Sequence, residues 1–253
     1  MTKPGSTTRE PADPGPGEGS AGAGAGVAVP PLITEAGRQM RAPWAASVAG
    51  LLFAVLFTGA LVLVRDQPMI TADDQGLTEL FASGQDLSVV IGGLYLAPFA
   101  GIMFLWFVAV IRDQIGERED RFFATVFFGS GLLFVGMLFA SAAVASQPVV
   151  GYRYLGEGPP TAAEVESTRA LSYGLLFAFA TRAAAVFMLA TATIGRKSGT
   201  FPRWFARAGY LVGALLLIGV VVWDWIILVL PAWVAVVSLF ILRRERSRLG
   251  ARP

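Results

Sequence analysis

The sequence predicts an all-α fold, a polytopic membrane helix bundle of six transmembrane helices with both termini in the cytoplasm. Three observations carry that expectation. The 253 residues are 55% hydrophobic and only 15% charged, with a mean hydropathy of +0.61, whereas soluble domains carry about a quarter charged residues. The apolar residues fall in unbroken runs long enough to cross a bilayer. Lysine and arginine gather in alternate loops between those runs.

Residues 1–40 precede the first run. "MTKPGSTTREPADPGPGEGSAGAGAGVAVPP" is dominated by Pro and Gly and has nothing to build a core, so it reads as a disordered tail. It lacks the short apolar stretch and small-residue cleavage site of a secretory signal. The membrane domain is expected over residues 41–245, with a short basic tail at 246–253.

Four spans are direct readings: Trp44 to Val64, Leu87 to Ile111, Phe122 to Ser146, and Leu171 to Ile194. The run "YLVGALLLIGVVVWDWIILVLPAWVAVVSLFIL", residues 210–242, is different. As one helix it would reach roughly 50 Å at 1.5 Å per residue, against a hydrocarbon core of about 30 Å. Asp224 stands between Trp223 and Trp225; aspartate avoids hydrocarbon and tryptophan favours its edge. The run therefore reads as two short spans in a hairpin turning near Asp224. The alternative is one long span with its remainder on the surface.

Arg38 and Arg41 come before the first span. Arg112, Arg118 and Arg121 lie between the second and third, and Arg196, Lys197, Arg203 and Arg207 between the fourth and fifth. Arg243, Arg244, Arg246, Arg248 and Arg252 follow the sixth. The other loops hold Arg65, Arg153 and Arg169 among Asp66, Asp73, Asp74, Glu79, Asp86, Glu157, Glu164 and Glu166. The positive-inside rule places the basic loops in the cytoplasm and the acidic ones outside, in a bacterial plasma membrane. The C-terminal basic cluster is suited to anionic lipid headgroups. A protein partner or a homo-oligomer stays open.

The outer loops carry local signals. "TADDQGLTELF" predicts a short helix capped by Thr71, with Leu77, Leu80 and Phe81 on its apolar side. Thr161 followed by Glu164 is a capping-box pattern, so the fourth helix is expected to start above the membrane.

Several chemistries are excluded. The chain has no cysteine and no histidine, which removes disulfides, thiol chemistry, imidazole acid–base work and Cys/His metal sites. "FGSG" puts Ser130 between glycines, but a serine nucleophile needs a base that the chain does not offer. Gly129, Gly131, Gly136 and Ala140 instead suggest close helix packing. Walker and dinucleotide motifs are absent, as is any nucleic-acid pattern. The charged segment "IRDQIGEREDRFF" interleaves its signs and reads as a solvated loop. "GLLFA" occurs at 50–54 and 174–178, but a similar string at 131–135 marks it as a product of composition. No cofactor is implied, and the expectation is a protein that is not an enzyme.

Arg182 is the residue that needs an account. In "AFATRAAAVF" it sits about 16 Å down from Leu171, where an unpaired arginine costs roughly 2.5–3.5 kcal/mol. Helical side chains lean toward the N-terminus of their helix, so Arg182 should reach toward the acidic face. Asp86 and Asp224 are candidate partners there. Pro98 and Pro231 would also free the carbonyls of Leu94 and Ile227. One reading makes Arg182 a structural tie. The other makes it the counter-charge for an anionic substrate, with Thr181, Tyr173 and Ser130 as polar neighbours.

"REDRFFATVFFGSGLLF" and "GTFPRWFARAGYLVGALLL…LPAWVAVVSLFILRR" resemble six-span membrane proteins of high-GC Gram-positive bacteria that are classed as domains of unknown function. The resemblance covers roughly residues 40–245 and implies fold and location only. The expected role is a non-enzymatic structural, accessory or regulatory membrane component. The alternative is a small transporter or solute-binding protein using Arg182.

Overall fold

In a computed structural model, the described residues are 34–65, 71–115, 121–199, 201–219 and 224–250. Every regular element among them is a helix. Helix α1 is Thr34–Arg65 and α2 is Asp74–Ser83. Helix α3 is continuous but changes register, with Leu87–Val89 α-helical, Val90–Leu96 a π segment and Ala97–Ile115 α-helical. Helix α4 is Arg121–Ala145 and α5 is Gln147–Tyr154. Helix α6 repeats the device of α3: Ala162–Tyr173, a π segment Gly174–Ala180, then Thr181–Lys197. Helix α7 is Arg203–Ile218. Helix α8 opens with a 3₁₀ turn, Asp224–Leu228, and continues as Val229–Gly250.

Five helices are long and apolar enough to cross a membrane: Trp44–Arg65, Leu87–Arg112, Phe122–Ala145, Ala162–Lys197 and Trp225–Arg243. The chain is thus an all-helical bundle of the multi-pass membrane type. Helix α7 falls short, since its 16 residues extend about 24 Å. It nevertheless runs antiparallel to α8. Phe201 faces Phe240 at 6.1 Å, Phe205 stacks on Trp233 at 4.3 Å, and Gly209 abuts the Trp233 ring. The residues between Gly219 and Asp224, where the hairpin turn is expected, lie outside the described residues.

The centre of the bundle is aromatic. Phe53 and Phe57 of α1, Phe104 and Phe107 of α3, Phe127 and Phe134 of α4 and Phe187 of α6 are all essentially inaccessible. Phe104 lies 4.8 Å from Phe53, 5.1 Å from Phe134 and 5.0 Å from Phe187. Lipid is as apolar as these rings, so association rests on close packing. Small residues permit that approach. A Cβ on Gly50 would strike Ser238, one on Gly101 would strike Phe139, and one on Gly209 would strike Trp233. Gly131 is such a contact too, against Val108, Phe187 and Phe104. Gly129 and Gly136 are not, because a Cβ at either meets nothing within 4 Å. The expectation of close packing at those two positions is corrected: they are exposed on the flank of α4.

One end of the bundle carries a folded cap. Leu77, Leu80 and Phe81 of α2, Val89 and Val90 of α3, Val149 of α5 and Val165 of α6 form a second buried cluster. The apolar side expected for α2 is the one that is buried. Its cap differs from expectation: the N-cap is Asp73, whose side chain accepts from Gly76 N at 2.8 Å, not Thr71. Aspartate two positions later wins because the helix starts at Asp74. The Thr161–Glu164 capping box is present, and the Ala162 N–H donates to Asp74 Oδ1 at 2.7 Å, joining the heads of α2 and α6. Helix α5 was not anticipated. At the opposite, basic end, Arg112 lies over Phe128, Arg196 over Tyr210 and Lys197 over Phe123, cation–π contacts that seat the charges at the ends of apolar helices.

Two boundaries also move. Helix α1 begins at Thr34, inside the stretch expected to be disordered, and α8 continues to Gly250 through most of the basic tail. Residues 1–33 lie outside the described residues, as does most of the loop holding Glu117, Arg118 and Asp120.

Candidate functional site

Each π segment has a local cause. In α3 the segment ends at Leu96, with the Ala97 N–H on Gly92 O, just before Pro98. Proline has no N–H and its ring clashes with the carbonyl four residues back, and a wider turn before it relieves that clash. In α6 the segment "GLLFAFA" starts at Gly174, where the backbone is least constrained, and ends at Ala180 with the Thr181 N–H on Leu176 O. The two residues that follow return hydrogen bonds to it. Thr181 Oγ1 donates to Leu176 O at 3.2 Å, and Arg182 Nη1 donates to Ala178 O at 2.6 Å.

Arg182 therefore leans one turn toward the cap end, in the direction its helix polarity dictates. Its partner is a carbonyl of its own helix. Among the described residues no carboxylate is within ion-pair distance of it, and Asp86 pairs instead with Arg153. Asp86, expected as its partner, is fully buried and held bidentately from α5. Arg153 Nε donates to Oδ2 and Nη2 to Oδ1, both at 2.5 Å. This hydrogen bonding, with the nearby negative charge, holds the Arg153 guanidinium above its ordinary range. The cap thus satisfies Asp86 with Arg153, one of the few bases in the acidic loops. Asp224 opens the 3₁₀ turn of α8, and its side chain lies outside the described residues.

Around Arg182 the flank of the bundle is hollow. A groove of about 460 Å³ is lined by Val126, Gly129, Ser130, Leu133 and Met137 of α4, by Phe179, Arg182, Ala183 and Val186 of α6, and by Leu217 of α7. Its α4 wall is low because Gly129 has no side chain. Arg182 is exposed in it. Of the polar neighbours expected, Ser130 lines the groove but donates back to Val126 O at 2.6 Å, as helical serines do. Thr181 is buried and turned to Leu176. Tyr173 stacks on Phe177 at 4.2 Å. The groove offers one cation in an otherwise apolar hollow, and no nucleophile paired with a base.

Ser141 and Ser172 form a polar contact between α4 and α6. Each hydroxyl is 2.9 Å from the other and from the carbonyl of the opposite serine. Groups of three or more Asp or Glu able to hold a metal are absent among the described residues. Searches against family models, curated proteins and solved structures find no match to the chain.

Proposed function

We propose that this is a non-enzymatic accessory or regulatory component of a bacterial plasma membrane, with six spans and both termini cytoplasmic. The observation that supports the role most is where Arg182 opens. Its groove lies on the flank of the bundle and is walled by Val126, Leu133, Met137, Phe179 and Leu217. A transporter needs polar groups continuing from a midplane charge to water. The lining of this groove supplies Ser130 and Arg182 alone, and Ser130 is spent on its own helix. A charge presented sideways suits recognition of another membrane component.

The sixth span is α7. Its antiparallel run beside α8 and its exposed Leu211, Leu215 and Ile218 support a short membrane segment, and an even count agrees with the alternation of basic and acidic loops. The solute-binding alternative keeps Arg182 as the anion counter-charge. Native mass spectrometry of the gently extracted protein separates the two. The accessory reading expects a polypeptide at fixed stoichiometry. A small water-soluble anion bound to wild type and lost in Arg182→Leu would overturn it.

A further inference from the structure

We propose that the groove at Arg182 receives one transmembrane helix of a different protein, a helix carrying a single aspartate or glutamate near the middle of its span. This deepens the accessory reading and rests on it. The charge comes first. A guanidinium has five N–H donors, and one bond, to Ala178 O, is made within the described protein. The rest of the groove and the surrounding lipid tails offer almost no acceptors. Unsatisfied donors in such a medium are costly, so an occupant bearing an anion is favoured over lipid chains.

Depth selects the kind of anion. Arg182 lies fifteen residues before Lys197, the last residue of α6, or about 22 Å from the basic end. Its head leans further from that end, toward Ala178. Bracketed by about 16 Å to Leu171 and about 22 Å to Lys197, the head falls inside a core of about 30 Å, in its cap-end half. Lipid phosphates sit outside that core and would have to be drawn inward, whereas a carboxylate in mid-span is already at that depth. Intramembrane ionisable residues pair with one another in this manner.

Shape agrees with a helix. Gly129 and Gly136 lie one heptad apart on α4, both exposed, and a Cβ at either meets nothing within 4 Å. No described residue of this chain fills that space, and small residues admit the backbone of a neighbouring helix. A second copy of the chain is a poor occupant. In the five apolar spans the only acids are Glu164 and Glu166, in the first turns of α6 at the cap end.

The test uses the full chain in phosphatidylcholine vesicles and a synthetic probe, a fluorescent Leu/Ala transmembrane peptide with a central Glu, Gln or Leu. Energy transfer should show the Glu peptide associating at least tenfold more tightly than the Leu peptide. Arg182→Leu should abolish that preference, Arg182→Lys should retain part of it, and Gly129→Phe should block the Glu peptide. Equal association of all three peptides, or a Glu preference that survives in Arg182→Leu, would overturn the proposal. So would displacement of the Glu peptide by added phosphatidylglycerol in wild type only, which would make the occupant a lipid. Failure here, with a polypeptide still present in the native mass spectrum, would refute this groove and leave the accessory role standing.

Discussion

Removing Arg153 should harm the protein more than removing Asp86, although the two form one pair. Asp86 has no exposed side-chain surface, while the Arg153 side chain is 34% exposed. Arg153→Met leaves a carboxylate with no contact to water and none of its two charge-assisted hydrogen bonds. Stranding a buried partner in this way costs about 3–5 kcal/mol. Asp86→Asn leaves an arginine that can turn to solvent, and the loss approaches that of one exposed charged hydrogen bond, roughly 1–2 kcal/mol. For a chain of this size each kcal/mol moves the melting temperature by about 2–4 °C. Scanning fluorimetry in mild detergent should therefore rank wild type above Asp86→Asn and Asp86→Asn well above Arg153→Met. Amide exchange should report the same order in α2 and α5. Asp86→Asn with Arg153→Met should recover part of the loss. The sign of the pH dependence follows from Arg153. Its pKa is raised, so its contribution is fully present below the ordinary arginine range and is lost only as pH rises through the raised value. The gap between wild type and Arg153→Met should hold constant from pH 7 to 9. Equal losses from the two single changes, or a larger loss from Asp86→Asn, would refute the assignment of the buried and the solvated partner.

Three further outcomes are expected. Reporter fusions after Gly195 and after Arg244 should sit in the cytoplasm and one after Gly158 outside; a cytoplasmic signal at Gly158 would break the six-span topology. Glutamine at Arg243, Arg244, Arg246 and Arg248 should weaken insertion of the α7–α8 hairpin in protease-protection assays, each basic residue being worth about 1 kcal/mol at an anionic surface; deletion of residues 2–33 should leave it intact. Gly209→Ala drives a methyl into the Trp233 ring and should cost about 1–3 kcal/mol, whereas Gly129→Ala fills open space and gains up to about 1 kcal/mol of helix propensity, a contrast read directly as opposite shifts in melting temperature.

The spans were legible because a bilayer imposes length and apolarity on every crossing helix. The α2 face of Leu77, Leu80 and Phe81 and the Thr161 capping box were legible because helix periodicity and capping are local. The Asp86–Arg153 pair was not. Its members are 67 residues apart, and only the fold of the cap brings α5 to the head of α3. The π segments escaped as well, since "VIGGLYL" and "GLLFAFA" carry no periodic signature; Pro98 just beyond the first was the available hint. Gly129 and Gly136 show the limit of motif reasoning. Their spacing marks a face that can pack, but not whether this chain or another fills it.

The place of Arg182 follows from the same physics. A charge in hydrocarbon must find an acceptor, and the nearest lies in the wide turn preceding it. Ala178 O meets one N–H of a side chain that lines the groove. Removing the charge by Arg182→Leu is therefore expected to leave the bundle intact, since no buried acid among the described residues depends on it.

An Arg182 presented to other membrane components requires a groove that faces hydrocarbon and not water. The chain has no cysteine, so single nitroxide labels can be placed at Leu133 and Phe179 with a reference label at Glu157. In reconstituted bilayers, electron paramagnetic relaxation should show both groove labels accessible to oxygen and shielded from a water-soluble nickel chelate, with the Glu157 label reversed. Nickel access at Leu133 and Phe179 approaching that at Glu157 would contradict the account and put a water-filled solute site in its place.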